Sequence, residues 1–253
     1  MILIPGLASS GETWDSTVAH YRDRYECHVL TVAGFTGVPR VASPMLDKVL
    51  EGVVEYAAKN HLEKPVIVGH SLGGFLALAI AVKYPGLPSR LVIVDAYSSF
   101  IRIFGSDMSP QFVKESVEQM KKYYGSMSQE TWEKSAKSGA SVRAMVTKDS
   151  DLRRLIGWSL ASDRTAVADA MYELYAADLR DDLARIKAPA LVFGTWIGYS
   201  DYTDRAKTEA NLRGQYAKLA GVEIQMTDTA RHFIMWDDPD WMFGHMDRFL
   251  GAR

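Results

Sequence analysis

Along most of the chain, short apolar runs alternate with amphipathic stretches of helical length. That is the rhythm of a parallel sheet with helices on its faces. Residues 1–4 read as a strand that stops at Pro5-Gly6. Residues 14–24 read as a helix and 27–32 as the next strand, and glycine and proline mark 34–39 as a loop. Across 44–60, Leu46, Val49, Leu50, Val53, Val54 and Ala57 fall on one helical face. Residues 65–68 and 91–94 are continuous apolar runs, as expected of strands covered on both sides. A helix over 75–84 separates them.

From about Ser98 to Leu183 no convincing strand is found. Ser109-Pro110 has the form of an N-cap with proline at the first helical position. Helical patterns then cover 110–124, 129–147, 150–161 and 164–177. The strand–helix rhythm resumes with a strand at 190–193, a helix near 204–218, a strand at 222–226 and a last helix over 239–250, which Asp238-Pro239 starts. The pattern predicts an α/β protein with a mostly parallel central sheet flanked by helices. Residues 1–97 and 184–253 would form the core. Residues 98–183 would be a helical cap inserted after the strand ending at Asp95. An insertion there sits over the carboxyl ends of the strands, where open α/β sheets bind ligands.

Composition narrows the function classes. The chain has 253 residues, 24% charged and 47% hydrophobic, which is an ordinary globular balance rather than a disordered or fibrous one. A formal net charge of −2 gives no electrostatic reason to expect nucleic acid or an anionic membrane as partner. The single cysteine, Cys27, excludes an intrachain disulfide framework and a cysteine-based zinc cluster. The longest apolar run, residues 75–82, is far short of the roughly 20 residues a membrane span needs. The first residues carry neither a basic leader nor a signal-length apolar region, so a cytoplasmic location is the expectation.

The strongest chemical signal is Gly69-His70-Ser71-Leu72-Gly73-Gly74, a G-x-S-x-G pattern between an apolar strand and a helix. A turn that tight needs glycines at Gly69 and Gly73, because only a residue without Cβ lets strand and helix approach so closely. Such a turn lifts the Ser71 hydroxyl above the sheet at a helix N-terminus, which favours developing negative charge. A serine nucleophile needs a base. Of six histidines, His20 and His61 fall at helix ends, His28 in a strand and His245 inside the last helix. His70 belongs to the turn itself, and its ring is expected to point away. His232 remains, in a loop after a late strand, positioned to reach back to Ser71.

A carboxylate should orient that imidazole. Asp95 ends the strand after the nucleophile's helix, and Asp201 lies in the loop after the following strand; both are candidates. Asp204 is a weaker third, because it suits the cap of the next helix. The oxyanion of a tetrahedral intermediate needs preorganised backbone N–H groups. Leu72, which follows the nucleophile, should supply one, and Leu7, in the glycine-containing loop after the first strand, the other. No phosphate-binding, dinucleotide-binding or zinc-protease motif occurs. Asp237, Asp238 and Asp240 read as helix-start carboxylates, so no metal site is expected. Phe100, Phe104, Tyr123, Tyr124, Trp132, Trp158, Tyr172 and Tyr175 lie in the inserted stretch. Some of them should line an apolar pocket.

These residues together resemble the α/β-hydrolase superfamily, in particular its capped single-domain serine esterases. The resemblance rests on Ile4-Pro5-Gly6-Leu7, on Gly69 to Gly74, on the strand ending at Asp95, on Ile186-Lys187-Ala188-Pro189 leading into a strand, and on His232-Phe233 before Asp238-Pro239. The order serine, acid, histidine also matches. There are three departures. Pro5-Gly6 stands where the family usually has a His-Gly pair. Ile197 stands where it usually has its acid. The family usually has two strands before the one at Met1, so the N-terminal edge strands are expected to be missing. The haloalkane dehalogenases place the acid at the end of the preceding strand, and that resemblance favours Asp95 over Asp201. Their nucleophile is an aspartate, and Ser71 argues against their chemistry. The resemblance implies a serine carboxylic-ester hydrolase that forms an acyl-enzyme on small to medium, mostly apolar esters and needs no cofactor. Acyl transfer, perhydrolysis or C–C hydrolysis by the same residues are the alternatives. A ligand-binding protein on the same fold is a further one.

Overall fold

The computed structural model describes residues 1–103 and 108–251; Phe104 lies outside them. Among the described residues the strands are β1 (Ile2–Ile4), β2 (His28–Val29), β3 (Val66–His70), β4 (Arg90–Val94), β5 (Ala190–Gly194) and β6 (Glu223–Met226). The helices are α1 (Asp15–Tyr21), α2 (Met45–Lys59), α3 (Leu72–Lys83), α4 (Pro110–Ser126), α5 (Gln129–Ser138), α6 (Asp149–Ala161), α7 (Arg164–Ala176), α8 (Arg205–Gln215), α9 (Ile234–Asp237) and α10 (Pro239–Leu250). The strands form one sheet in the order β2-β1-β3-β4-β5-β6, and every pair is parallel. All strand carboxyl ends therefore share one edge. The order reverses between β1 and β3, the kind of switch point where open α/β sheets place their ligands.

The apolar runs suit strands covered on both faces because successive side chains feed two different cores. Ile2, Ile4, Ile67, Leu91, Ile93 and Val192 pack with α2, α3 and α8 on one face. Leu3, Val66, Val68, Val92, Val94 and Phe193 pack with α1 and α10 on the other. No helix among the described residues is long and apolar enough to cross a membrane.

Some boundaries differ from the sequence expectation, each for a local reason. The expected helix over 14–24 is a 3-10 turn (Gly11–Trp14) followed by the short α1. β2 is shorter than expected, and beyond its end the Thr31 hydroxyl accepts the Gly11 N–H at 3.1 Å. α3 begins at Leu72, three residues early, so Gly73 and Gly74 are helical rather than turn residues. The expected helix over 129–147 is two pieces: α5 stops at Gly139, which adopts φ 65°, and a 3-10 turn follows at Arg143–Met145. A left-handed glycine is a common helix terminator.

The helices α4–α7 come between β4 and β5 and are tied back to the rest of the chain at named points. Glu173 of α7 accepts hydrogen bonds from the Met45 and Leu46 N–H groups and the Ser43 hydroxyl, each at 2.7 Å. Its carboxylate thus closes the N-terminus of α2, where negative charge is favoured. Near the link between α6 and α7, the Asp163 N–H donates to the Gly34 carbonyl at 2.8 Å and the Gly37 N–H to that of Ala161 at 2.9 Å.

Candidate active site

The turn from β3 into α3 is built by absence of side chains. A Cβ on Gly69 would stand 2.1 Å from the Gly73 carbonyl oxygen, and one on Gly73 would stand 2.2 Å from that of Ile4. With the strand and helix that close, Ser71 is forced to φ 53°, ψ −119°. A non-glycine residue there carries strain that the surrounding packing must hold. Its N–H is anchored to the Val94 carbonyl at 3.0 Å. Leu72 follows as the first residue of α3, so its N–H lies ahead of the helix's own acceptors. The loop after β1 closes against the same turn: a Cβ on Gly6 would lie 3.2 Å from the Ser71 Cβ. Half-buried Leu7 and Ala8 continue that loop, with Ala8 at φ 48°.

At the neighbouring strand ends stand the acid and the imidazole. Asp95 follows β4 with φ 44° and is 4% exposed. Its Oδ2 lies 2.5 Å from His232 Nδ1, and its Oδ1 accepts the Thr195 N–H at 3.2 Å. The Thr195 hydroxyl donates to the Ala230 carbonyl, fixing the start of the histidine loop. The Arg231 guanidinium donates to the Val146 carbonyl at 3.0 Å, and the Phe233 N–H to that of Met145 at 3.3 Å. The loop that carries His232 is thus held from the sheet on one side and from the α5–α6 connection on the other.

Ser71, Asp95 and His232 share the lining of one cavity of about 320 Å³, together with Gly6, Leu7 and His70. All four helices α4–α7 add walls to it, through Tyr124, Trp132, Leu155 and Met171 among others. Asp201 is elsewhere, exposed beyond the 3-10 turn Ile197–Tyr199, and does not line the cavity. Asp204 caps α8 by accepting the Lys207 N–H at 2.8 Å. Asp237 and Asp238 accept the N–H groups of Arg231 and Trp241, and Asp238 is the N-cap of α10.

His70 departs from the expectation that its ring points away. It is fully buried and packs on His232 with ring centroids 4.4 Å apart. Its Nε2 lies 3.1 Å from the His232 carbonyl oxygen. Burial first, and the neighbouring His232 next, hold its pKa well below the ordinary histidine value. The ring is therefore neutral, and Nε2–H donates to the carbonyl. Room for the ring exists because position 6 is glycine, whose Cβ would come 3.0 Å from His70 Nδ1. That pairing of Gly6 with a histidine in the elbow was the only sequence signal available.

The depressed pKa has a consequence for stability. The unfolded chain takes up a proton at this residue near the ordinary histidine value of 6.5, whereas the folded chain resists it. Stability is complete above that pH and falls as pH drops below it, by up to roughly 1 kcal/mol per pH unit from this group. Urea unfolding at a series of pH values from 8 to 5 should show the fall, and His70→Gln should make it shallower. An equal slope in both proteins would remove His70 as its source.

The serine on a strained strand-to-helix turn, the histidine–carboxylate pair and the open parallel sheet define an α/β hydrolase. The chain belongs to the alpha/beta hydrolase family, matching it over residues 1–244. Among proteins it is similar to is N-formylmaleamate deformylase of Pseudomonas putida, 25% identical over 268 residues, covering 99% of this chain and 88% of that protein. Another is the pimeloyl-[acyl-carrier protein] methyl ester esterase of Nitrosospira multiformis, 23% identical over 255 residues, covering 98% and 93%. A match to a Caenorhabditis elegans abhydrolase domain-containing protein spans 49% of this chain and 28% of that protein's length. In fold, the chain is similar to the enol-lactonase of Burkholderia xenovorans, with a TM-score of 0.78, 19% identity, and coverage of 99% and 90%.

Proposed function

We propose that this hydrolase is a serine carboxylic-ester hydrolase working through an acyl-enzyme, with Ser71 as nucleophile, His232 as base and Asp95 as the acid that orients it. The observation that carries the reading is the short His232 Nδ1–Asp95 Oδ2 contact on the wall of the cavity that Ser71 also lines. With Nδ1 engaged by the carboxylate, Nε2 is the nitrogen left to exchange a proton. Ser71 Oγ attacks the ester carbonyl carbon and its proton passes to Nε2. The N–H groups of Leu7 and Leu72 receive the oxyanion. Collapse of the intermediate breaks the ester C–O bond, and Nε2 returns the proton to the leaving alkoxide, giving the alcohol. Water then repeats the attack on the acyl-enzyme and releases the acid. In this reading residues 98–183 act as a cap on a core made of 1–97 and 184–253, and the substrate is a small to medium, mostly apolar ester.

A series of p-nitrophenyl esters from acetate to decanoate tests it. Hydrolysis should rise and then fall with chain length, because a cavity of this size accommodates a small acyl group and crowds a long one. Parallel assays with formamides address the deformylase-like relative, and product analysis in added methanol addresses acyl transfer. Turnover of formamides with none of the esters would overturn the reading.

A further inference from the structure

We propose that the cavity takes an uncharged, oxygen-bearing acyl group and turns away one that carries a free carboxylate. This rests on the ester-hydrolase reading above and names the substrate class within it. Among the described residues no lysine or arginine lines the cavity, and its single acidic group is Asp95. Both Asp95 oxygens are already occupied, by His232 and by the Thr195 N–H. A second carboxylate entering the apolar space would lose its hydration, meet no cation, and approach a like charge. Desolvating an unpaired carboxylate is among the largest penalties a site can impose.

The same walls do carry neutral donors. Tyr97, Tyr124 and Tyr175 line the cavity, and among the described residues no hydrogen bond is made by any of their three hydroxyls. Burial is the main cause that pushes each of these phenols up. Asp95 adds to the rise at Tyr97. All three therefore stay protonated and can donate. Inward-facing polar groups in folded proteins are nearly always satisfied by protein, water or ligand. A keto, ether or second ester oxygen on the acyl chain would satisfy them at little desolvation cost, whereas neutral donors alone recover only part of the cost of burying an ion.

Four methyl esters of similar length test the proposal, with p-nitrophenyl butyrate run alongside. Dimethyl adipate and methyl adipamate are neutral and oxygen-bearing, monomethyl adipate bears a carboxylate, and methyl heptanoate lacks the distal oxygen. At pH 8, kcat/KM for monomethyl adipate should be at least about 30-fold below that of both neutral oxygen-bearing esters. A smaller gap overturns the charge selection. Tyr97→Phe, Tyr124→Phe and Tyr175→Phe should each be measured on dimethyl adipate and methyl heptanoate. At least one should raise the KM ratio of the first to the second by about 5-fold, as loss of one hydrogen bond predicts. Unchanged ratios in all three overturn the role of the phenols. The control separates the two readings: failure on p-nitrophenyl butyrate removes the esterase itself, while activity there with no discrimination among the methyl esters removes only the substrate class.

Discussion

Ser71→Ala should lower kcat on p-nitrophenyl butyrate by at least about 10⁴-fold and abolish covalent modification by a fluorophosphonate, read by intact mass. The substitution is clean in structural terms. Alanine keeps the Cβ that already sits at φ 53°, so the turn bears no new steric load. Thermal unfolding should therefore be nearly unchanged. What disappears is the oxygen proposed to form the bond to the acyl carbon. The backbone N–H groups of Leu7 and Leu72 remain, so a residual rate above that of water is expected rather than none. A fluorophosphonate adduct that persists in the variant, mapped to another residue, would sink the assignment.

The parts of the fold that were legible in sequence are those governed by local patterning. Strands β3, β4 and β5 show as apolar runs because both faces of the sheet are covered; Ile67 faces one core while Val66 and Val68 face the other. The elbow shows because its geometry admits no Cβ at Gly69 or Gly73, so composition there is dictated by a carbonyl oxygen 2.1 or 2.2 Å from where each Cβ would stand. What stayed hidden depends on residues far apart in the chain. Glu173 caps α2 from more than a hundred residues away, and nothing local to Pro44 announces it. The ring of His70 turns in rather than away because Gly6, at the end of a different strand, leaves the space. Tyr97 and Tyr199 line the cavity, yet the sequence marks neither, since each simply follows a strand. The break at Gly139 was visible as a glycine, but a helical pattern resumes beyond it, and periodicity alone does not register a left-handed residue.

The choice between two carboxylates belongs to the same hidden class, and it carries the second large effect. Asp95→Asn should reduce kcat by about 10⁴-fold, while Asp201→Asn should leave it within about 2-fold. Register explains the asymmetry. β4 and β5 pair Val94 with Phe193, so the residues just beyond them, Asp95 and Thr195, are neighbours at the carboxyl edge. Thr195 donates its N–H to one oxygen of Asp95 and its hydroxyl to Ala230, two residues before His232. The carboxylate and the imidazole are thereby placed by the sheet itself. Asp201 has no such support: it is exposed, six residues beyond Thr195, on a turn that leaves the strand edge. An asparagine at position 95 keeps the shape and can still accept from Thr195. It can also present its amide N–H to Nδ1, which holds the imidazole in the wrong tautomer and leaves no negative charge to stabilise the imidazolium. The two variants should therefore keep similar unfolding midpoints and differ in rate. Loss of several orders of magnitude in Asp201→Asn, with Asp95→Asn near wild type, would transfer the acid to the loop after β5 and make the observed Asp95–His232 contact a structural one.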